Sequence, residues 1–244
     1  MTELQRAIRD LVVANRILAN EGVVDAYGHV SLRHPLHPGR YLLSRSRAPV
    51  LVEDDDIVEF DLEGNAAGGD TRPPYLERYI HGAIYEARPE IQAVVHAHAE
   101  AVLPFTVSTT PLRPVVHSAS FIGPRIPVWD IQDNFGDTNL LVMNTAQGRD
   151  LARCLGAARV ALMRGHGFVA VGRSLPEAVR TSVYLPVNAR VLSEALRLGE
   201  VKSLSPGEIE AYASMKQDDP AMYRAWEYWA VRAGCGDRLT VGVR

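Results

Sequence analysis

AVVHAHAEAV, residues 93–102, opens as an apolar run of β type and carries two histidines one residue apart. On a strand, residues i and i+2 point to the same face, so His96 and His98 bring two imidazoles toward one point beside a sheet. Ala97 between them is small, and the chain is expected to turn helical beyond Ala99. Outward from this run, HVSLR (29–33), YLLS (41–44) and IVEFDLEGN (57–65) read as strands of an antiparallel sheet, with a loop over 66–70. VALMRGHGFVAVG (160–172) reads as two β-runs broken at Gly165-His166-Gly167, and VVHSASF (115–121) and IPVW (126–129) as two short extended pieces.

Helices flank these strands. Leu4, Ile8, Leu11, Val12 and Leu18 recur at helical spacing before Gly22, and YLERYIHGAIYEA (75–87) is helical up to Pro89. Asn144 or Thr145 caps a helix that ends at Gly156. Ser174 and Glu177 form a capping box for a long helix through about Leu198. Ser205 and Glu208 repeat that pattern, and Asp219-Pro220 opens a last amphipathic helix with Trp226 and Trp229, whose spacing favours packing over a ligand box. The expected architecture is a three-layer α/β/α fold with a central, mainly antiparallel or mixed sheet. Residues 1–244 form one domain in this reading, with a helical extension from about residue 200.

The 244 residues are 47% hydrophobic, enough for one substantial core. With 26 basic against 29 acidic residues and no basic cluster, nucleic acid is not an expected partner. Cys154 and Cys235 form no C-x-x-C pair, which argues against thiolate metal sites and disulfide frameworks. The N-terminal apolar stretch is too short and interrupted for a leader or a membrane span, so the expectation is a cytoplasmic protein with no membrane partner.

Neutral imidazole binds zinc and other divalent ions, and a third ligand beside His96 and His98 would complete an open catalytic site. His166 is the best candidate, because its flanking glycines let the backbone turn sharply and approach closely. Glu77 lies four residues before His81, on one face of the 75–87 helix in this reading, and supplies a carboxylate for acid–base work. Glu100 is expected to point away, and the acidic run Glu53–Asp56 reads as a solvated loop. Tyr184 and Asn188 share a face of the long helix, where they can meet either an active site or a packing surface.

Taken in order and spacing, YGHVSLR (27–33), LERYIHGAIYEARPEIQAVVHAHAE (76–100) and LMRGHGFVAVG (162–172) resemble the class II aldolase and adducin head family. The resemblance runs from the first helix to about Leu198. It implies a divalent metal ion (Zn2+ or Mn2+) on His96, His98 and His166, with Glu77 as the catalytic carboxylate. It also implies a homo-oligomer, a tetramer with active sites between subunits. The departures carry as much information. Where the sugar-phosphate aldolases hold phosphate with Gly-Asn, Ser-Gly and Ser-Ser, this sequence has Gly28-His29, Ser44-Arg45 and Tyr75-Leu76. Where they place an interface tyrosine as proton donor, it has Ser118, next to His117.

SRSRAP, LERYIHG, PLRPVVH and ALMRGHG instead resemble the decarboxylase branch of the family, whose members act on dihydroxyphthalate, hydroxypyridine dicarboxylate and carboxymuconic semialdehydes. That resemblance implies a metal-dependent carbon–carbon lyase acting on an aromatic or dienoic hydroxy or keto carboxylic acid. The metal would act as a Lewis acid, stabilising the enolate or phenolate charge left by loss of CO2. Arg45 and Arg47, on one face if the strand continues, suit a substrate carboxylate. His29, Ser44 and Arg113 are further substrate-facing candidates, and Glu77 or His117 would return the proton to carbon. The competing readings are an aldolase or epimerase on a short sugar phosphate and a non-catalytic adducin-like interaction module.

Overall fold

The computed structural model describes residues 1–213 and 220–239. Helix α1 (Glu3–Asn20) starts at a capping box between Thr2 and Gln5, and the chain leaves it through Gly22 at φ +67°. Strands β1 (His29–Arg33), β2 (Arg40–Ser44) and β3 (Ile57–Asp61) follow, then helix α2 (Tyr79–Ala87) and β4 (Ala93–Ala97). Short helices α3 (Leu103–Val107) and α4 (Gln132–Phe135) bracket β5 (Val128–Trp129). Then come α5 (Thr145–Leu155), the β6 (Val160–Met163) and β7 (Gly167–Gly172) hairpin, and the long α6 (Leu175–Leu198). Helices α7 (Pro206–Ala213) and α8 (Pro220–Arg232) complete the described chain; Asp219, expected at the start of the last helix, lies outside the described residues.

One seven-stranded sheet has the order β3-β2-β1-β4-β7-β6-β5. Its neighbours are antiparallel except β5 with β6, so the sheet is mixed, as the alternating runs predict. Residue parity splits the core in two. Val95 and Ala97 of β4, with Phe168 and Ala170 of β7, face Leu11, Ile17, Val179 and Trp226 on α1, α6 and α8. Val94, Val169 and Val171 face Ile80, Ile84, Leu151 and Leu155 on α2 and α5. Each strand thus feeds both outer layers, which makes a three-layer sandwich. On the second side the layers close tightly: a Cβ on Gly82 would sit 2.2 Å from the Leu62 carbonyl oxygen, and one on Gly148 2.5 Å from that of Tyr79.

Three expectations are corrected. VVHSASF is not extended: His117–Ile122 forms a 3-10 segment with Ala119 through Ile122 buried in succession. Ser120 Oγ donates to the His117 carbonyl there, the kind of local side-chain bond that competes with a strand ladder. Helix α2 begins only at Tyr79, so Glu77 lies in the 3-10 turn Leu76–Arg78 before it, at φ −91°, ψ 18°. Beyond Ala99 the chain makes a turn, and helix resumes only at Leu103.

Candidate metal centre

His96 comes from the buried centre of the sheet, on the face that packs against α2, and its Cα pairs with Val169 on one side and His29 on the other. His98 lies one residue past the end of β4 and keeps the same side. His166 sits in the turn between β6 and β7, where Gly165 takes φ +62° and His166 N–H donates to the Met163 carbonyl. A Cβ on Gly167 would lie 2.2 Å from the Ala97 carbonyl oxygen, so only glycine lets this turn close on the end of β4.

The imidazoles converge through one kind of atom. His98 Nε2 lies 3.0 Å from His96 Nε2 and 3.1 Å from His166 Nε2. Glu77 Oε2 lies 3.3 Å from the first of these partners and 3.5 Å from the second. His96 Nδ1 donates to the Phe168 carbonyl and His166 Nδ1 to the Leu140 carbonyl. Carbonyls only accept, so both rings carry their proton on Nδ1 and turn bare Nε2 lone pairs inward. A proton on His98 Nε2 could serve only one of these two bare nitrogens, so hydrogen bonds within the trio do not satisfy it. An ion about 2.1 Å from each, in tetrahedral geometry, would set them roughly 3.4 Å apart, close to the arrangement seen. The donor set fits a divalent cation, and the carbonyl partners are the supports that orient metal-binding histidines.

Electrostatics agree with that fit at Glu77 and His98, while at His166 an ion would have to compete with a proton. Burial alone would raise the Glu77 carboxyl, but His96 and His166 outweigh it and hold Glu77 ionised, well below the ordinary carboxylate range. Burial, and then the neighbouring His96 and His166, push His98 down to about 3, leaving it neutral as a ligand must be. Burial also pulls on His166, yet the hydrogen bond and charge of Glu77 leave it raised.

A segment that sequence reading passed over holds this end of the site. Val142 N–H donates to Glu77 Oε1 at 3.0 Å, while Leu140 supplies the carbonyl for His166. Leu140 is the only non-glycine residue with positive φ (65°) among the described residues. That conformation costs about 1–2 kcal/mol. Thr138 and Asn139 side chains accept from the backbone at Leu140 and Leu141 and hold it. The turn-forming Asp137-Thr138-Asn139 run was the available signal for a loop there; nothing in the sequence marked Leu140.

A cavity of about 630 Å³ opens onto the cluster, with His29, Arg47, Tyr75, Glu77, His98 and His166 in its wall. Ser44 is buried behind that wall, its hydroxyl donating to the Tyr75 hydroxyl at 3.2 Å, and Tyr75 donates in turn to the Arg47 carbonyl. Since β2 ends at Ser44, Arg45 and Arg47 do not share a strand face. Both instead reach Asp56, at 2.7 and 3.2 Å, and Arg45 lies outside the cavity wall. Asp56, from the run read as a solvated loop, is buried and held ionised: burial opposes this, while the Glu53 N–H and the Arg45 side chain overcome it. Arg113 and His117 do not line this cavity. His117 is exposed, edge-on to the Tyr212 ring, and the Asn188 side chain ties the backbone at Arg113 and Val115 to α6. Tyr184 packs between Phe121 and Trp229.

Residues 9–192 match the model of the Class II Aldolase and Adducin N-terminal domain. The chain belongs to this family. Within the class II aldolase family, the decarboxylase tropJ of Talaromyces stipitatus is 33% identical over 96% of both chains. A 3,4-dihydroxyphthalate decarboxylase from a Terrabacter species is 28% identical, covering 93% of this chain and 98% of its own. The class II aldolase fold is seen in L-fuculose 1-phosphate aldolase from Glaciozyma antarctica PI12, which aligns with a TM-score of 0.77 at 24% identity over 95% of this chain and 90% of its own. Among the described residues no helix is long and apolar enough to cross a membrane.

Proposed function

We propose that this protein is a metal-dependent decarboxylase of aromatic or dienoic hydroxy or keto carboxylic acids. The observation that carries the reading is the cavity wall above the histidine cluster. Where a sugar-phosphate aldolase would offer small hydroxyl and backbone donors, this wall carries the His29 and Tyr75 rings, 4.6 Å apart, and Ser44 is turned behind them. Such a wall suits a flat unsaturated acid rather than a phosphate. The full-length similarity to decarboxylases supports the same choice.

His96, His98 and His166 would hold the ion, zinc or manganese, which when bound supplies a Lewis acid for the charge left on the substrate as CO2 departs. Arg47 is the arginine in the cavity wall; its Nε donates to the Leu51 carbonyl and lies beside Asp56, while the two terminal nitrogens can fork onto a carboxylate. Glu77, at the cluster's edge, would be the group that returns a proton to carbon, a role that requires its carboxyl to rise from the depressed range in which His96 and His166 hold it. Arg113 and His117 would meet a substrate only across a subunit boundary, as in the tetramer expected from the family.

The test is CO2 release from a panel of ortho-hydroxy aromatic dicarboxylates, with and without added divalent metal. Metal-stimulated CO2 release supports the reading. Metal binding without CO2, but with cleavage of a short sugar phosphate, replaces it with an aldolase. In Arg47→Ala, KM for the dicarboxylate is expected to rise about tenfold or more with kcat little changed, the signature of lost uniform binding. An unchanged KM removes Arg47 from the substrate site.

A further inference from the structure

Behind the cavity wall lies a second buried string of polar groups, distinct from the metal cluster. His29 Nδ1 is 2.7 Å from His81 Nε2. His81 Nδ1 is 2.6 Å from Ser31 Oγ, and Ser31 Oγ is 2.8 Å from the Tyr85 hydroxyl. Tyr85 reaches the Gln92 carbonyl at 3.3 Å. Each inner link could run either way on its own, but the far end cannot, because a carbonyl only accepts. The Gln92 oxygen also takes the Arg33 N–H, and its two lone pairs have room for both.

With Tyr85 donating to Gln92, Ser31 donates to Tyr85, His81 Nδ1–H to Ser31, and His29 Nδ1–H to His81 Nε2. All four links are then made, whereas the reverse orientation leaves the last one empty. Burial, then neighbouring imidazoles, hold both rings neutral, as this pattern requires. Arg33 steadies the far end: its guanidinium donates to the carbonyls of Pro38, Tyr85, Arg88 and Ile91.

The geometry points to His29 Nε2 as a fixed hydrogen-bond acceptor in the cavity wall, oriented by His81, Ser31 and Tyr85, that selects ligands carrying a hydroxyl in addition to the metal-chelating pair. Nε2 is the remaining ring nitrogen of a side chain in that wall and bonds to no described residue. A hydroxyl that chelates the ion as a phenolate has given up its proton and is no longer a donor. The donor this nitrogen calls for is therefore a second hydroxyl. His81, Ser31 and Tyr85 are positioning residues, since they act only through His29. The ligand class rests on the decarboxylase reading; the direction of the string does not.

The experiment is long-range proton–nitrogen NMR of zinc-loaded protein labelled with 15N-histidine, together with calorimetric titration. His29 and His81 are both expected to carry their proton on Nδ1. Tyr85→Phe, which removes the anchor, is expected to give mixed tautomers at His29, a change a merely structural tyrosine would not cause. At least one of 2,3-, 2,4- and 2,5-dihydroxybenzoate is expected to bind about tenfold tighter than 2-hydroxybenzoate, the worth of one buried hydrogen bond. That gain is expected to vanish in His29→Leu. A proton on His29 Nε2 in the parent protein, no gain from any second hydroxyl, or a gain that survives His29→Leu overturns the inference. None of these readouts needs turnover, so a failed CO2 assay would reject the decarboxylase reading while leaving this one to be judged by itself.

Discussion

Two groups of histidines stand on the same face of the sheet, with the His29 and His96 rings 5.1 Å apart, and they solve opposite problems. In the string from His29 to Tyr85, every donor meets an acceptor inside the protein, and the one atom left over, His29 Nε2, is an acceptor. At His96, His98 and His166, the Nδ1 atoms of two rings are taken by carbonyls and the three Nε2 atoms face one another. Buried polar groups without partners are costly, so the second arrangement makes sense around a cation and the first does not need one. The residue type is the same; the direction of the hydrogen bonds separates a metal centre from a wall.

The largest expected break in this contrast comes from His98→Ala. Loss of a ligand should abolish tight metal binding and reduce turnover about a thousandfold or more, measured by metal content and CO2 release. His81→Asn, on the other side of the contrast, should leave metal content near the parent level. Equal metal loss in both variants would erase the distinction. Next, Gly167→Ala should weaken metal affinity about 10–100-fold, because its Cβ would press on the Ala97 carbonyl and on His98 Cδ2, at 3.1 Å. Competition with a chelator measures this; unchanged affinity would show that the turn does not place His166.

The last expected effect is on stability and not on binding, a pH dependence. Burial holds His81 down to about 3, against about 6.5 in an unfolded chain. Between these values the unfolded state binds the extra proton, so stability is full above pH 6.5 and is lost as pH falls toward 3. The slope per such histidine is about 1.4 kcal/mol per pH unit. Urea unfolding of the metal-free protein from pH 6.5 to 4.5 should show a slope shallower by about that amount in His81→Asn. Equal slopes would mean that His81 protonates in the folded state.

The mixed sheet and three layers were legible because 93–97 and 160–172 read as apolar β-runs and caps mark the helices at Asn144 and Ser174. H-x-H and Gly-His-Gly likewise pointed to the cluster that the structure assembles. What stayed hidden depends on three-dimensional partners. Helix α2 starts two residues after Glu77, so the pairing with His81 by spacing was misleading, and His81 serves His29 instead. Arg45 and Arg47 looked like strand neighbours, but what gathers them is Asp56, from a run that composition alone makes a solvated loop. Leu140 gave no signal, because a left-handed leucine is dictated by the carbonyl it must aim at His166.

The most direct test of the central claim is elemental analysis of protein purified without chelator and then offered zinc or manganese, beside His96→Ala treated identically. The account predicts about one divalent ion per chain in the parent protein and almost none in the variant. A folded parent protein that takes up no ion, or a His96→Ala variant that retains it, would contradict the account.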